Sequence, residues 1–425
     1  MGEQTTGRSR VVIVGAGFGG FQAAQSLAGD SRLDITLIDR HGRHVFTPLI
    51  YQVATGILKP DAVIAAPRSH LPPRVNVVAA TVERVDFAKR QVVTQQGTLP
   101  YDFLILATGA RSQIADIPGA RRHALPLGTL EDAIAIHERL SAALTQAGPD
   151  HCPAIAIVGG GTTGAELAGS LAEWARSLGK PIAIRLIHGS DEILSEFIPR
   201  SGRAARRRLQ RIGVDVMLRS RVQQVGDRTV TCSTSTGDTT ELPADLVIWT
   251  AGVTAALPDF SAAIATGPKH KLRIRPTLQL DSPLHPLQHL EQVYAIGDVS
   301  TLDGPRSHPI DAVAPAALQQ GVAVARNIRR QVRGQVPRPF RYLNKGRLAI
   351  VGGYLGVGKI AGISFAGAIA WAMWLGVHWV YLPGWKNRKT AAIAWWQIYC
   401  FRSRSRYLAS STGRSSQHSR HSSTL

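Results

Sequence analysis

Short apolar runs recur along this chain, and most end in glycine or an acidic residue. Residues 11–14, 35–38, 101–109, 154–158, 182–187, 246–252 and 293–298 are of this kind, and they predict buried strands like those of parallel sheets. Between them, apolar positions spaced by three and four predict helices after Gly20 and Gly164, over 130–144 and over 314–332. Residues 81–87 and 91–94 alternate apolar and polar positions, as a hairpin-like pair of strands would. The stretch RHGRHVFTPLIYQVATGILKP after Asp39 reads as a loop entering a short helix. Strands alternating with helices predict an α/β fold. After Lys345 the pattern changes. Residues 346–363 are glycine-rich and strand-like, and six of the eight tryptophans lie between 371 and 396. Residues 402–425 are mostly Ser, Arg and His, a composition that predicts disorder.

The first run passes into GAGFGG, a G-x-G-x-x-G turn at Gly15, Gly17 and Gly20, followed by an alanine-rich helix, a second apolar run and Asp39. This is the layout of a dinucleotide-binding βαβ unit, in which an acid stands roughly 20 residues past the last glycine. Each position has a physical task. Gly15 permits the tight turn, Gly17 has no Cβ to keep a pyrophosphate away, and Gly20 lets the helix lie close on the strand. The helix end offers unpaired N–H groups to phosphates, and Asp39 can accept from a ribose hydroxyl. The pattern returns at Gly159, Gly161 and Gly164, so the chain should take two nucleotide ligands. The second unit ends differently, with His188 where an acid would stand. FLILATG and LVIWTAG are counterparts, strand ends where glycine lets the backbone pass close to a ligand. Taken alone, Thr108-Gly109 is equally a plain turn, and Asp298 in VYAIGD is equally a helix cap.

Charge and cysteine content narrow the classes. The net charge of +20 favours a polyanionic neighbour, either nucleic acid or an anionic membrane surface. No helix-turn-helix, zinc-finger or RNA-binding signature is present, so no nucleic-acid partner is expected. Six arginines lie between Pro199 and Arg211; they read as a solvated helix face, a lipid surface or a cofactor-phosphate contact. Cys152, Cys232 and Cys400 are far apart, with neither disulfide-framework nor metal spacing, and suit a reducing compartment.

Two glycine units, then an Ala-Thr-Gly strand end and a Gly-Asp strand end, resemble the two-dinucleotide flavoprotein oxidoreductases over about 9–328. No Cys-x-x-x-x-Cys pair is present, so the disulfide-reductase branch does not fit. HVFTPLIYQVATGIL, AVAPAALQQG and AWAMWLGVHWVYLPGWKNR are similar to type II NADH:quinone oxidoreductases, a resemblance that runs to about Leu408. It implies two Rossmann-like domains, an FAD domain with an inserted NAD(P)H domain, and a C-terminal helical membrane-anchoring segment. The corresponding segments are 9–118 and 286–345 for FAD, 119–285 for NAD(P)H, 346–408 for the anchor and 409–425 for a disordered basic tail.

The same resemblance implies cofactor contacts at Gly15, Gly17, Gly19, Gly20, Asp39, Arg40, Val82, Ala107, Thr108, Gly109, Gly297, Asp298 and Leu318. In the second unit it implies contacts at Gly159, Gly161, Gly164, Glu166, His188, Ala251 and Gly252. It places Glu166 near the nicotinamide and flavin, and Gln319 and Gln320 at the quinone end of the isoalloxazine, as catalytic residues. Read without it, Glu166 is a carboxylate settled by a helix N-terminus, and the glutamines are ordinary polar helix residues. Pro315 stands where the family usually has glutamine. The implied reaction passes a hydride from NADH to FAD and electrons on to a membrane quinone, without proton pumping. The alternative is a membrane-tethered flavin redox sensor or interaction protein without useful quinone turnover. NADH is preferred over NADPH on the resemblance alone: His188 tolerates either, Ser190 could donate to a phosphate, and Asp191 and Glu192 oppose added negative charge. A homodimer is left open.

The expected location is peripheral, on the cytoplasmic face of the inner membrane. Residues 363–382 carry no formal charge and meet the length of a membrane span. In-plane binding is expected instead. Trp371, Trp374, His378, Tyr381 and Trp385 would form an interfacial aromatic stripe, Pro383-Gly384 would end the helix, and basic residues flank both ends. On this reading, truncation before Gly362 leaves a soluble, flavin-loaded protein.

Overall fold

The computed structural model describes residues 7–148, 151–234, 236–281, 290–302 and 312–401, so the basic tail lies outside the described residues. Two compact units are built from interleaved segments. The first draws on Met1–Val45, Ile64–Arg111 and Val253–Lys345; the second draws on Phe46–Val63, Ser112–Gly252 and Gly346–Leu425. Residues 253–281 thus group with the first unit, and the described C-terminal region groups with the second.

The core of the first unit is a five-stranded parallel sheet in the order Val293–Ala295, Phe103–Leu106, Ser9–Val14, Leu33–Asp39, Val75–Ala79. The glycine-bearing strand is central, with Val14 opposite both Ile38 and Leu106, which is why its apolar run is continuous. Helices Phe18–Leu27 and Ala314–Val332 pack closely, because Gly321 has no side chain: a Cβ there would sit 2.6 Å from the Gly19 carbonyl oxygen. Pro315 lies in the first turn of Ala314–Val332, where its missing N–H costs no helical bond. The alternating stretches form the antiparallel pair Val82–Asp86 and Gln91–Thr94, with a bulge between Val82 and Arg84.

The second unit repeats the plan, with strand order Ala124–Pro126, Leu246–Trp249, Ala154–Val158, Ala183–Ile187, Val214–Met217, all parallel. The helix Thr162–Leu178 follows its glycine turn. Leu130–Gln146 starts from a capping box in which Thr129 and Asp132 satisfy each other's backbone amides. The C-terminal region adds an antiparallel ribbon, Arg347–Ile350, Gly356–Ile360 and Ile363–Gly367, then helices Ala368–Tyr381 and Trp385–Phe401. Gly169 of Thr162–Leu178 meets the ribbon so closely that a Cβ would lie 2.6 Å from the Gly352 nitrogen.

The expected aromatic stripe divides: Trp374 and His378 turn inward, whereas Tyr381 and Trp385 are exposed. Trp374 is 1 % exposed, His378 stacks on it at 3.8 Å, and both belong to the inner side of Ala368–Tyr381. An indole N–H needs an acceptor, and one lies inside the unit. The outward large apolar residues of this helix are Ile369, Met373, Val377, Val380 and Tyr381. Among the described residues no helix is long and apolar enough to cross a membrane.

Candidate active site: two glycine cradles and a buried glutamate

In the first unit, Gly15 has φ +103°, and a Cβ there would lie 2.4 Å from the Ala107 oxygen. At Gly20 a Cβ would lie 1.9 Å from the Gly15 oxygen, and at Gly19 it would meet the Ile296 side chain at 3.1 Å. At Gly17 it would meet nothing within 4 Å. So three of these glycines serve the protein's own packing, while Gly17 faces open space. No side chain at the Gly17 N-cap closes the helix end. Asp39 is fixed beside it: its Oδ2 accepts from the Ala16 amide at 3.1 Å and its Oδ1 from the His41 amide at 2.9 Å. Thr108 Oγ1 is buried next to the same turn without a hydrogen-bond partner. An open cradle, a free helix end, a fixed acid and an orphaned hydroxyl fit a dinucleotide.

The remaining contacts expected in this unit divide. Gly109 has φ +71° and its carbonyl accepts from the Ala256 amide. Asp298 lines a cavity with Gly297, Ser300, Val313, Ala317 and Gln320, and burial raises its pKa above the ordinary range against the pull of Lys271. Gln320 is buried, and its Oε1 accepts from the Gly297 amide at 2.6 Å. The amide of Gln319 is occupied at both ends, donating to the Leu343 carbonyl at 2.9 Å and accepting from the Leu343 amide at 3.0 Å. Val82 and Leu318 are half-buried, and Arg40 is exposed. His44, which sequence reading did not single out, holds the glycine turn. Its Nδ1 lies 2.8 Å from the Ala16 oxygen, and its ring stacks on Phe21.

The second cradle repeats the first. Gly159 has φ +114° and packs on Ala251, Gly164 packs on the Gly159 oxygen at 1.8 Å from its would-be Cβ, and Gly161 faces open space. Thr250 Oγ1 donates to the carbonyls of Val158 and Gly159 beneath the turn, and Gly252 has φ +80°. His188 Nδ1 accepts from the Gly160 amide at 3.1 Å. That bond leaves the proton on Nε2, which is buried. Burial also lowers the pKa of His188, against a bond to the Glu192 backbone and the charges of Glu196 and Glu192. Glu196, another residue the sequence did not reveal, takes the helix end: its Oε1 accepts from the Thr162 amide at 3.0 Å and from the Thr162 hydroxyl. Nothing in its spacing signals this, because it comes from a loop 34 residues away.

Glu166 is buried one turn into the same helix. Its Oε1 accepts from the Ile350 amide at 3.2 Å and the Trp374 indole at 3.1 Å, both from the C-terminal region. Burial pushes its pKa up to about 8, against these two bonds, so it holds a proton at neutral pH. Its ordinary value is 4.5, so between about pH 4.5 and 8 the folded protein keeps a proton that the unfolded chain has lost. Stability therefore falls as pH rises through that window, by as much as about 1.4 kcal/mol per pH unit, and levels off above it. Glu166→Gln keeps the accepting oxygen and does not titrate. Its melting temperature should gain on that of the parent steadily from pH 5 to 8; a constant difference would refute the assignment.

Among the described residues the cysteines form no redox pair, and the side chain of Cys400 lies outside them. Cys152 is exposed and free, and Cys232 is buried and free, with burial raising its pKa to about 11.

Comparison with known proteins agrees with this architecture. Residues 9–321 match the family described as pyridine nucleotide-disulphide oxidoreductase. A type II NADH:quinone oxidoreductase of Mycobacterium tuberculosis is 31 % identical over 415 residues, covering 91 % of this chain and 87 % of that protein. A demethylphylloquinone reductase of Synechocystis is 29 % identical, covering 92 % and 96 %. The structure of NDH2 from Plasmodium falciparum in complex with NADH shares the fold with a TM-score of 0.83 at 18 % identity, covering 92 % of this chain and 98 % of that one. With its two glycine cradles and full-length likeness, this chain belongs to the pyridine nucleotide-disulphide oxidoreductase family, and within it to the type II NADH:quinone oxidoreductases.

Proposed function

We propose that this protein is a peripheral membrane enzyme that oxidises NADH and reduces a quinone, with the residues above in the following roles. When bound, FAD would supply the redox chemistry between NADH as hydride donor and quinone as electron acceptor. The turn at Gly17 and the free end of Phe18–Leu27 would hold the FAD pyrophosphate, Asp39 would accept from its ribose, and Thr108 would supply a hydroxyl. Asp298 and Gln320 line the cavity beyond. Gln320 is the better placed of the two glutamines for a ligand, since both ends of the Gln319 amide are committed to Leu343. The second cradle binds NADH, and Glu166 carries a proton. The single observation that carries this reading is the duplicated cradle, in which the middle glycine alone faces open space. Purified protein should oxidise NADH far faster with added quinone than with oxygen alone. An unchanged rate would favour the sensor reading.

Glu196 sets the strength of nucleotide binding on this reading. Its carboxylate stands at the helix end where a nucleotide phosphate would sit, so the two anions compete. Glu196→Gln should lower KM for NADH about 2- to 5-fold, the value of one charge at a helix end, with kcat little changed. A higher KM would mean that Glu196 instead positions the loop. Preference for NADH over NADPH is expected from the family, and kcat/KM for both nucleotides checks it.

The outward residues Ile369, Met373, Val377 and Val380, with Lys386 and Lys389 exposed on the next helix, suit attachment to an anionic leaflet without crossing it. Arg388 does not join them, because its guanidinium is held by the Leu382 and Val380 carbonyls. The cytoplasmic face is the side on which NADH would be available.

A further inference from the structure

The helix Pro199–Arg211 carries six arginines, no lysine and no acidic residue. The fold sorts these arginines into two sets. Arg206 pairs with Glu192 at 3.2 Å, and Arg208 pairs with Glu173 at 3.7 Å and donates to the Gly352 carbonyl. Both lie on the flanks of the buried side, which is formed by Ser201, Gly202, Ala205 and Leu209. Arg200, Arg203, Arg207 and Arg211 are all exposed, and none has an ion pair or hydrogen bond among the described residues. Their spacings of three and four put them in one stripe, about 16 Å long and pointing away from the core.

A merely solvated face would not be built this way. Like charges three and four residues apart repel along a helix, and mixed signs would remove that cost. The use of arginine alone is informative too. Its planar fork bonds phosphate oxygens in pairs, whereas lysine offers only a point charge. The same unit presents the outward apolar residues Ile369, Met373, Val377 and Val380, which a nucleic acid would not require. The helix also presents no aromatic side chain on which a base could stack.

We propose that Arg200, Arg203, Arg207 and Arg211 form a docking stripe for the phosphate headgroups of anionic phospholipid. The stripe selects which leaflet the enzyme occupies, in addition to the apolar contact, and this inference rests on the peripheral membrane reading above. Each arginine at an anionic surface contributes roughly a fivefold gain in partition.

The test uses full-length, flavin-loaded protein and two sets of vesicles at low salt: phosphatidylcholine alone, and equimolar phosphatidylcholine and phosphatidylglycerol. Parent protein should bind the anionic vesicles much more tightly, and salt should erase the difference. The variant R203Q/R207Q should lose about 25-fold on anionic vesicles, with no change on neutral ones. The variant with all four arginines replaced by glutamine should lose more than about 100-fold. Replacing all four by lysine should give an intermediate affinity, keeping the part due to charge and losing the part due to paired bonds. NADH oxidation with a water-soluble quinone should be unchanged in every variant, which separates this result from any failure of the enzymatic reading. Equal affinity of parent and glutamine variants for anionic vesicles would overturn the proposal. So would equal losses on neutral vesicles, an equal loss in the lysine variant, or tighter binding of the parent to duplex DNA than to anionic vesicles.

Discussion

Gly17→Val protein will fold, show the far-ultraviolet spectrum of the parent, and be colourless. A side chain at Gly17 meets no protein atom within 4 Å, so the fold has room for it. On the proposed reading, the space it fills is the approach of the FAD pyrophosphate to the helix end. Losing two charge-assisted bonds there, at about 1.5–3 kcal/mol each, weakens FAD binding roughly 10²- to 10⁴-fold. Gly20→Ala should behave in the opposite way. Its Cβ would stand 1.9 Å from the Gly15 oxygen, a backbone atom that cannot step aside, so the melting temperature falls and flavin is lost as a consequence. Flavin absorbance and thermal melts on the two proteins check this. Full flavin content in Gly17→Val would remove the phosphate from this turn.

Truncation before Gly362 will not yield the soluble, flavin-loaded enzyme that the sequence suggests. The deleted part contains Trp374, Leu382, Ala391 and Trp395, all buried, and the indoles donate to Glu166 and to Gln52 Oε1. Burying a large apolar side chain contributes about 1.5–3 kcal/mol. Losing several therefore costs on the order of 5–10 kcal/mol, comparable to the whole stability margin of a domain. The truncated chain should collect in inclusion bodies, or melt at least 15 °C below the parent where some is recovered. By contrast, Ile369→Ser with Val377→Ser should leave the melting temperature within a few degrees of the parent and weaken membrane binding. A truncated protein with parental stability would show that the C-terminal helices are a mere appendage.

Local chemistry made much of this legible. The glycine turns, the central strands and the helix Ala314–Val332 follow from residues that are neighbours in sequence, where a missing Cβ or an apolar run has one physical use. What could not be read depends on distant segments meeting. Glu166 looks like any acid in a helix until Ile350 and Trp374 arrive to bury it. Glu196 caps a helix that begins 34 residues earlier. The aromatic spacing of 371–385 reads as one outward stripe but spans two helices, with Trp374 and His378 turned inward and Tyr381 and Trp385 exposed, because periodicity tells which residues share a side and not what that side meets. The glutamine pair divides for the same reason: adjacent positions on a helix point about 100° apart, and only Gln320 turns to the cavity.

The helix Ala368–Tyr381 therefore separates two kinds of phenotype along a single stretch of fourteen residues. Changes at Ala370 or Trp374 would appear in a cell as absent protein, since the inner side holds the second unit together. Changes at Ile369, which is 74 % exposed, or at Val380 would leave protein abundance normal and, on the peripheral membrane reading, move the protein away from its electron acceptor. A mutational scan scored for growth alone would merge the two as equal losses. Scored for abundance and location as well, it should show them alternating with a helical period, one residue defective in quantity and its neighbour defective in address.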